Sequence, residues 1–127
     1  MFFNFDLTNF PLVYIDLSGN INNDKDFKLF TEKWLDLYNK KEQFYLIFNT
    51  KNLLSANIKY VFYMAIFIKK IKLLKKKNLI SSKILLYNNY IYKLATFIFY
   101  IEKPIAPIEL ILMDYNENKI NSEIILP

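Results

Sequence analysis

The sequence contains no cysteine, no histidine and no arginine, and it has a single glycine, Gly19. Without cysteine and histidine, disulfides, thiol nucleophiles, common zinc sites and Ser-His-Asp triads are excluded. A single glycine excludes the glycine-rich loops that bind phosphates in P-loop and dinucleotide-binding proteins. Without arginine, the sequence also lacks the planar guanidinium group that forms two parallel hydrogen bonds to a phosphate or a carboxylate. The sequence therefore predicts no metal site and no cofactor.

The composition indicates one folded domain. The 127 residues are 54% hydrophobic and 18% aromatic, which is ample material for a core, and no linker-like stretch divides them. All 17 positive charges are lysines, and the net charge is +5. The start of the chain does not look like a signal peptide, and the longest uncharged apolar stretch in a helical segment, residues 60–68, is too short to cross a bilayer. We expect a soluble, cytoplasmic domain over residues 1–127.

Four short apolar runs alternate with three longer segments of helical periodicity. The predicted strands cover residues 12–19, 44–50, 82–88 and 107–114. Strands that alternate with helices indicate β-α-β units and a mostly parallel sheet with helices packed on it. We therefore predict a single-domain α/β sandwich with four to six strands and three helices, whose core spans residues 12–113. Residues 120–126 are a candidate edge strand, whereas residues 1–10 either form another or pack their phenylalanines over the sheet.

Three helices are predicted, over residues 24–39, 57–76 and 90–102. The face of the first that should be buried, by its helical spacing, contains Phe27, Phe30, Trp34, Leu37 and Tyr38. For the second helix the same spacing predicts a buried stripe of Ile58, Val61, Phe62, Ala65 and Ile66. For the third helix it predicts Ile91, Leu94, Ala95, Ile98 and Ile101.

A polar segment, residues 51–56, is predicted to be the loop between a central strand and the second helix. Ser55 or Asn57 would cap that helix, and the free amides of its first turn could hold an anion. Phosphorylation of Ser55 would be electrostatically favourable there, because a dianion would meet the positive end of a helix. The alternative interpretation is an ordinary capping serine.

A basic segment, residues 69–77, follows the apolar part of the second helix. Its lysines are Lys69, Lys70, Lys72, Lys75, Lys76 and Lys77. Apolar residues interleave with them, as in helices that lie on anionic membrane surfaces. Nucleic acid is disfavoured because the segment has neither arginine nor an aromatic residue to stack on bases. The alternative is a solvated helix end.

Aromatic residues suggest two further patches. Tyr60, Tyr63 and Phe67 form a second stripe on the second helix. Tyr87, Tyr90 and Tyr92 cluster around the junction of the third strand and third helix. If exposed, such patches would indicate a protein partner or a hydrophobic ligand; the alternative is burial beneath the third helix and the terminal strands.

Aspartate and glutamate are the remaining side chains on which an enzymatic activity could depend. Asp16 lies in the first predicted strand, and Asp114 closes the fourth, where ligands of parallel sheets bind. The spacing identifies no second carboxylate to work with either of them. The structural interpretation is that Asp16 faces an edge or pairs with a lysine, and that Asp114 begins a turn.

The succession YIDLSGNI, LIFNTKNLLSANIKYVFYMAIFIKKIK and ILLYNN resembles the STAS domain of bacterial anti-sigma factor antagonists. The resemblance implies a regulatory α/β domain in which a loop serine is phosphorylated to switch partner binding, and Ser55 is the matching residue. The segment ILLYNNYIYKLATFIFYIEKPIAP is also similar to the CRAL-TRIO lipid-binding domain of related topology. Together the two resemblances cover residues 12–113.

We therefore expect a non-catalytic interaction module that binds a protein partner through the second helix (residues 57–76) and the loop before it (residues 50–56). The residues expected to contact that partner are Ser55, Asn57, Lys59, Tyr60, Tyr63 and Phe67. The alternative is a peripheral membrane or lipid-binding domain that uses residues 69–77 and the neighbouring aromatics. A small carboxylate-dependent enzyme is a third interpretation.

Overall fold

The computed structural model describes all 127 residues, and its strands form one six-stranded sheet in the order β1-β2-β3-β4-β5-β6. The strands are β1 (Phe3–Asp6), β2 (Leu12–Ile21), β3 (Phe44–Ala56), β4 (Leu79–Leu86), β5 (Ile108–Met113) and β6 (Lys119–Ile125). The helices are α1 (Asp24–Leu37), α2 (Lys59–Leu73) and α3 (Asn89–Ile101). Strands β2 to β5 run parallel, and β1 and β6 are antiparallel edges. The predicted α/β fold is confirmed.

All three helices pack on the same face of the sheet. Each helix joins two neighbouring parallel strands, and the strand order always advances in one direction. Because such crossovers are right-handed in nearly all proteins, they place every helix on one side. Alternate residues of the central strands accordingly differ in exposure: Val13 and Ile15 are fully buried, whereas Tyr14 between them is 38% exposed. The other face of the sheet has no covering layer.

The first residues of the chain satisfy both interpretations offered by the sequence. Residues Phe3–Asp6 form the antiparallel edge strand β1, paired with β2. Phe2 and Phe3 are buried and belong to the core beneath α1. The ring of Phe30 in α1 contacts both of them, with centroid distances of 5.4 and 5.5 Å.

Strands β2 and β3 are longer than predicted. The sequence predicts a strand end at Gly19 and a loop over residues 51–56, but β2 continues to Ile21 and β3 to Ala56. The two extensions pair with each other, which satisfies their backbone groups without a loop. Gly19 has φ of 68° and lies at a register shift, so its positive φ forms a bulge inside the strand rather than a turn.

The predicted buried stripe of α2 is wrong at Ile58, Phe62 and Ile66, all of which are exposed. Its buried residues are Tyr60, Val61, Ala65, Phe67, Ile68 and Ile71. The helix also ends at Leu73 instead of residue 76, so that three of the six lysines of the basic segment lie beyond it.

The rotation of α2 follows from its neighbour rather than from its own sequence. Every residue from 60 to 68 is apolar or aromatic, so two stripes of similar hydrophobicity compete for the core. Helix α1 presents aromatic rings that select one of them. The Tyr60 ring lies 5.4 Å from that of Phe27, and the Phe67 ring lies 5.4 Å from that of Trp34. Aromatic pairs at such distances add to the free energy gained from burial alone.

Helices α1 and α3 follow the sequence more closely. Side-chain oxygens of Asn23 and Asn88 cap them, each accepting a hydrogen bond from a backbone amide of the first turn. The predicted face of α1 is buried at all five positions. In α3, Ile101 is exposed and Phe99 is buried, so the prediction is wrong at Ile101; Leu94 and Ile98 are half-buried.

Substitutions on opposite faces of β3 test this one-sided packing. Phe48 faces the helices and its ring lies 5.5 Å from that of Trp34, whereas Ile47 faces the uncovered side. We expect Phe48→Ala to lower the free energy of unfolding by about 3–5 kcal/mol because it empties a core site. Ile47→Ala should cost about 1 kcal/mol, as is typical of a half-buried position. Urea unfolding measures both, and equal losses would contradict the one-sided core.

Candidate functional site

The outward sides of α2 and α3 form a surface that is both apolar and basic. Phe62 and Phe97 join the two helices there, with ring centroids 5.7 Å apart. Ten exposed side chains of these helices, beyond the first turn of each, are called the outer helix surface: Phe62, Tyr63, Ile66, Lys69, Lys70, Leu73, Lys93, Phe97, Tyr100 and Ile101. Neither helix contains an aspartate or a glutamate. Apolar side chains interspersed with cations and without anions distinguish this surface from an ordinary solvated face.

Charge along the chain is segregated in the same way. Residues 43–108 contain eleven lysines and one carboxylate, Glu102. The two flanking segments together contain six lysines and eleven carboxylates. Helices α2 and α3 both lie in the positive segment, so the net charge of +5 understates the local positive potential at the outer helix surface.

The C-terminal ends of the two helices meet. Lys72, in the last turn of α2, donates a 2.7 Å hydrogen bond to Glu102, which directly follows α3. The pair is about one-quarter to one-third exposed and uses the one carboxylate of the region. Leu73 and Tyr100 flank it, with 72% and 84% of their surfaces exposed. Lys72 is therefore engaged within the protein, whereas Lys69 and Lys70 point to solvent without an ion-pair partner.

The N-terminal end of α2 carries a small charged cluster. Asp24, at the start of α1, accepts a 2.8 Å hydrogen bond from the Tyr60 hydroxyl and lies 3.1 Å from the Lys59 ammonium. The Tyr60 hydrogen bond, followed by the one from Lys59, holds the pKa of Asp24 below its usual value. Burial, and then the bond to Asp24, raises the pKa of Tyr60. Two of the residues predicted to contact a partner thus tie α2 to α1 instead.

The structure places the other predicted contact residues in different environments. Ser55 lies in β3, where its hydroxyl donates a 2.6 Å hydrogen bond to Asn20, so of the two residues predicted to cap α2, Ser55 does not do so. Asn57 accepts a bond from the Lys59 amide and remains exposed. Tyr63 is 41% exposed and Phe67 is buried. These residues do not form one contiguous surface.

A shallow groove separates α1 from α2. It has a volume of about 340 Å³ and mixes aromatic and charged side chains. Its lining consists of Asp24, Phe27, Lys28, Thr31, Tyr63, Ile66, Phe67 and Lys70. Tyr63 and Phe67 are the two members of the predicted aromatic stripe that reach this groove.

The three tyrosines of the predicted cluster each make a separate hydrogen bond at the carboxyl end of the sheet. Tyr87 is buried and donates to Glu117, whose other oxygen accepts from Lys51. Tyr92 donates to Glu123, and Tyr90 donates to the backbone oxygen of Ala56. Burial, and then the Glu117 bond, raises the pKa of Tyr87 to about 12. Through these bonds Tyr87 and Tyr92 connect the region around α3 to the β5–β6 hairpin, and Tyr90 connects α3 to β3.

The two aspartates singled out in the sequence lie apart. Asp16 is exposed on the uncovered face of the sheet, beside Asn49 of β3. Asp114 is in the β5–β6 turn, where it accepts hydrogen bonds from the backbone amides of Asn116 and Asn118. Those bonds hold the pKa of Asp114 below its usual value. Asp114 thus has the turn-forming role that the structural interpretation gives it.

Comparison with known proteins adds no relative: no family model, no curated protein and no solved structure matches the chain. Among the helices of the fold, none combines the length and the apolar character that crossing a bilayer requires.

Several exposed residues of the outer helix surface were missed by the periodicity argument, among them Phe62, Ile66, Phe97 and Tyr100. A signal for them exists in the sequence. The two helices of highest hydropathy contain no carboxylate, and the segment around them collects eleven of the 17 lysines. The distribution of charge along the chain therefore distinguishes these two helices before the positions of their side chains are known.

The Tyr87–Glu117 bond predicts a specific alkaline response. Below the ordinary tyrosine pKa of 10, Tyr87 is neutral in both the folded and the unfolded chain. Between pH 10 and about 12 the unfolded chain loses this proton while the folded protein keeps it, so the free energy of unfolding falls as pH rises. We expect Tyr87→Phe to reduce this fall, as followed by urea unfolding across that pH range. Tyr100→Phe, at an exposed site, should leave it unchanged.

Proposed function

We propose that the chain is a non-catalytic peripheral module whose outer helix surface binds anionic membranes. The observation that carries this proposal is the combination, on two packed helices, of exposed aromatic and aliphatic side chains with lysines and no carboxylate. Apolar side chains enter the headgroup region while lysines attract anionic lipids. The three lysines of this surface and the exposed Lys75, Lys76 and Lys77 that follow α2 make six basic residues, and clusters of four to eight are typical of segments that bind anionic leaflets.

The charge distribution supports the same orientation. The lysines of the outer helix surface, Lys69, Lys70 and Lys93, would face the membrane, whereas eleven of the twelve carboxylates lie in the flanking segments, outside α2 and α3. Lysine is depleted in the cores of protein–protein interfaces, which makes a lysine-rich apolar surface a better match to lipid than to protein. Because anionic lipids are concentrated in the cytoplasmic leaflet, we place the module in the cytoplasm.

Vesicle binding tests the electrostatic part of this proposal. The protein should bind vesicles that contain phosphatidylserine, and binding should weaken with salt because the Debye length shortens. Each lysine near such a surface contributes about 1 kcal/mol, so Lys69→Glu with Lys70→Glu should weaken binding roughly 30-fold or more. The matched control is Lys25→Glu with Lys33→Glu on α1, which changes net charge equally and should have a much smaller effect. Equal losses would show that only net charge matters.

Two leucines test the apolar part. Leu73 lies on the outer helix surface and is 72% exposed, whereas Leu54 lies in β3, outside that surface, and is 68% exposed. Leu73→Ser should weaken vesicle binding at high salt, where the electrostatic contribution is screened, and Leu54→Ser should not. Neither substitution empties a core site, so both variants should keep the stability of the parent protein. Identical binding by the two variants would contradict insertion at this surface.

A second candidate function is a STAS-like module that binds a protein partner through α2. The α1–α2 groove favours it, because an aromatic floor with a charged rim can seat an apolar side chain of a partner. The succession of β-α units in sequential strand order also supports a STAS-like class. In this version Tyr63 contacts the partner, while Ser55 lies outside the groove, hydrogen-bonded to Asn20.

A photo-reactive amino acid at position 63 tests this candidate in cells, with position 45 on the uncovered sheet face as the control. A protein cross-linked at position 63 alone should also bind the purified chain. That binding should fall at least tenfold in Tyr63→Ser, because a seated aromatic residue of an interface contributes about 2 kcal/mol. Cross-links at both positions, or unchanged binding by Tyr63→Ser, would eliminate the groove as the binding site.

A further inference from the structure

The core contains a cavity of about 150 Å³ between the sheet and the helix layer, and 24 of its 27 lining residues are hydrophobic. Well-packed interiors have few voids larger than a water molecule, so a space of this size in the core calls for an explanation. An apolar cavity of this size remains dry and accommodates a benzene-sized molecule.

The position of the cavity explains why the core does not close over it. The buried side chains form two separate clusters, one of 17 residues around α1 and β1–β3 and one of eight around α3 and β4–β5. Five half-buried side chains pack against both clusters: Leu17, Ile21, Met64, Ile84 and Ile105. All five also line the cavity. The cavity is therefore the seam where the two halves of the core meet.

Three hydroxyl-bearing residues line this apolar space, and two of them are engaged, since the Tyr60 hydroxyl donates to Asp24. Thr50 donates a 2.7 Å hydrogen bond to the backbone oxygen of Leu85. Ser82, on the neighbouring strand, is 6% exposed, and its hydroxyl makes no hydrogen bond within the protein. A buried polar group without a partner is costly, and a ligand atom that bonds to it would remove that cost.

The walls indicate what the rest of the ligand looks like. Aromatic rings from the helices and the sheet surround the space, with Phe27, Trp34, Phe48 and Phe99 among them. Such rings make edge-to-face or offset-stacked contacts with another aromatic ring, which add to the free energy gained from burial alone. No charged side chain lines the cavity, so a charged ligand would lose its hydration without compensation.

We propose that this cavity is a binding site for a small monocyclic aromatic molecule with one hydroxyl or amino group, which forms a hydrogen bond with Ser82. The site is independent of the outer helix surface, because none of the exposed lysines reaches it. It goes beyond the proposed membrane function, and neither depends on the other.

Phenol and benzene are the probes, since they differ by the one group that Ser82 would contact. Trp34 is the single tryptophan of the chain and lines the cavity, so its fluorescence reports occupancy directly. We expect both probes to bind saturably and to raise the unfolding temperature. Phenol should bind about 5-fold more tightly than benzene, the ratio that one net hydrogen bond typically provides.

Three variants locate the binding. Ser82→Ala should reduce phenol affinity to that of benzene and leave benzene affinity unchanged. Ser81→Ala is the matched control, because Ser81 faces the other side of the sheet and should change neither affinity. Ala95→Leu, which fills the cavity from α3, should abolish binding of both probes. If that variant does not fold, Val61→Leu fills the same space from α2.

The outcomes separate clearly. Absence of saturable binding by the folded parent protein would overturn the proposal. Binding that persists unchanged in a folded cavity-filling variant would place the probes elsewhere and would overturn it as well. Equal affinities for phenol and benzene in the parent would overturn the role of Ser82 and the ligand class derived from it. Vesicle binding by all these variants should match the parent, which keeps the two proposals distinguishable.

Discussion

The handedness of the three β-α-β crossovers is the constraint on which the rest of this structure depends. Because successive strands are always neighbours, right-handed connections have one outcome, a single helix layer on a single face. Parallel sheets usually have both faces covered. Here one face must supply the whole core of the domain, and the large aromatic residues of α1 and β1 make that layer thick enough to do so.

The helix layer has to serve two purposes at once. Its inner side supplies the core, and its outer side is the one broad surface on which α2 and α3 can present apolar residues to something other than the protein. The choice between inner and outer residues on α2 is made by contacts with α1, especially those of Tyr60 and Phe67. The surface that α2 exposes is therefore determined by packing on its other side, so core and surface substitutions near that helix should be interpreted together.

The fold could be predicted from the sequence, whereas most of the candidate site could not. Apolar runs separated by helical periodicity specify β-α-β units almost independently of tertiary detail, and helix α1 has one clear apolar face. Helix α2 has two, and no property of its own sequence decides between them. The position of Ser55 was missed for a related reason, since its strand assignment depends on the extra length of β2, a neighbour 35 residues away in the chain. The cavity could not be predicted from the sequence, because it arises where the two clusters of buried side chains leave a gap between them.

The strands are arranged in the sheet in the order of the chain, as in solenoid proteins. Each β-α unit therefore contacts mainly the units before and after it. In such arrays stability is distributed along the chain rather than held in common by all elements. The cluster around α3 and β5 is less than half the size of the other, and the seam between them is poorly filled. Elements with fewer buried apolar contacts are the ones that open locally at the lowest free energy, and in this fold they lie at the C-terminal end. A molecule seated in the seam would contact both clusters and oppose their separation, by an amount set by its concentration and its affinity.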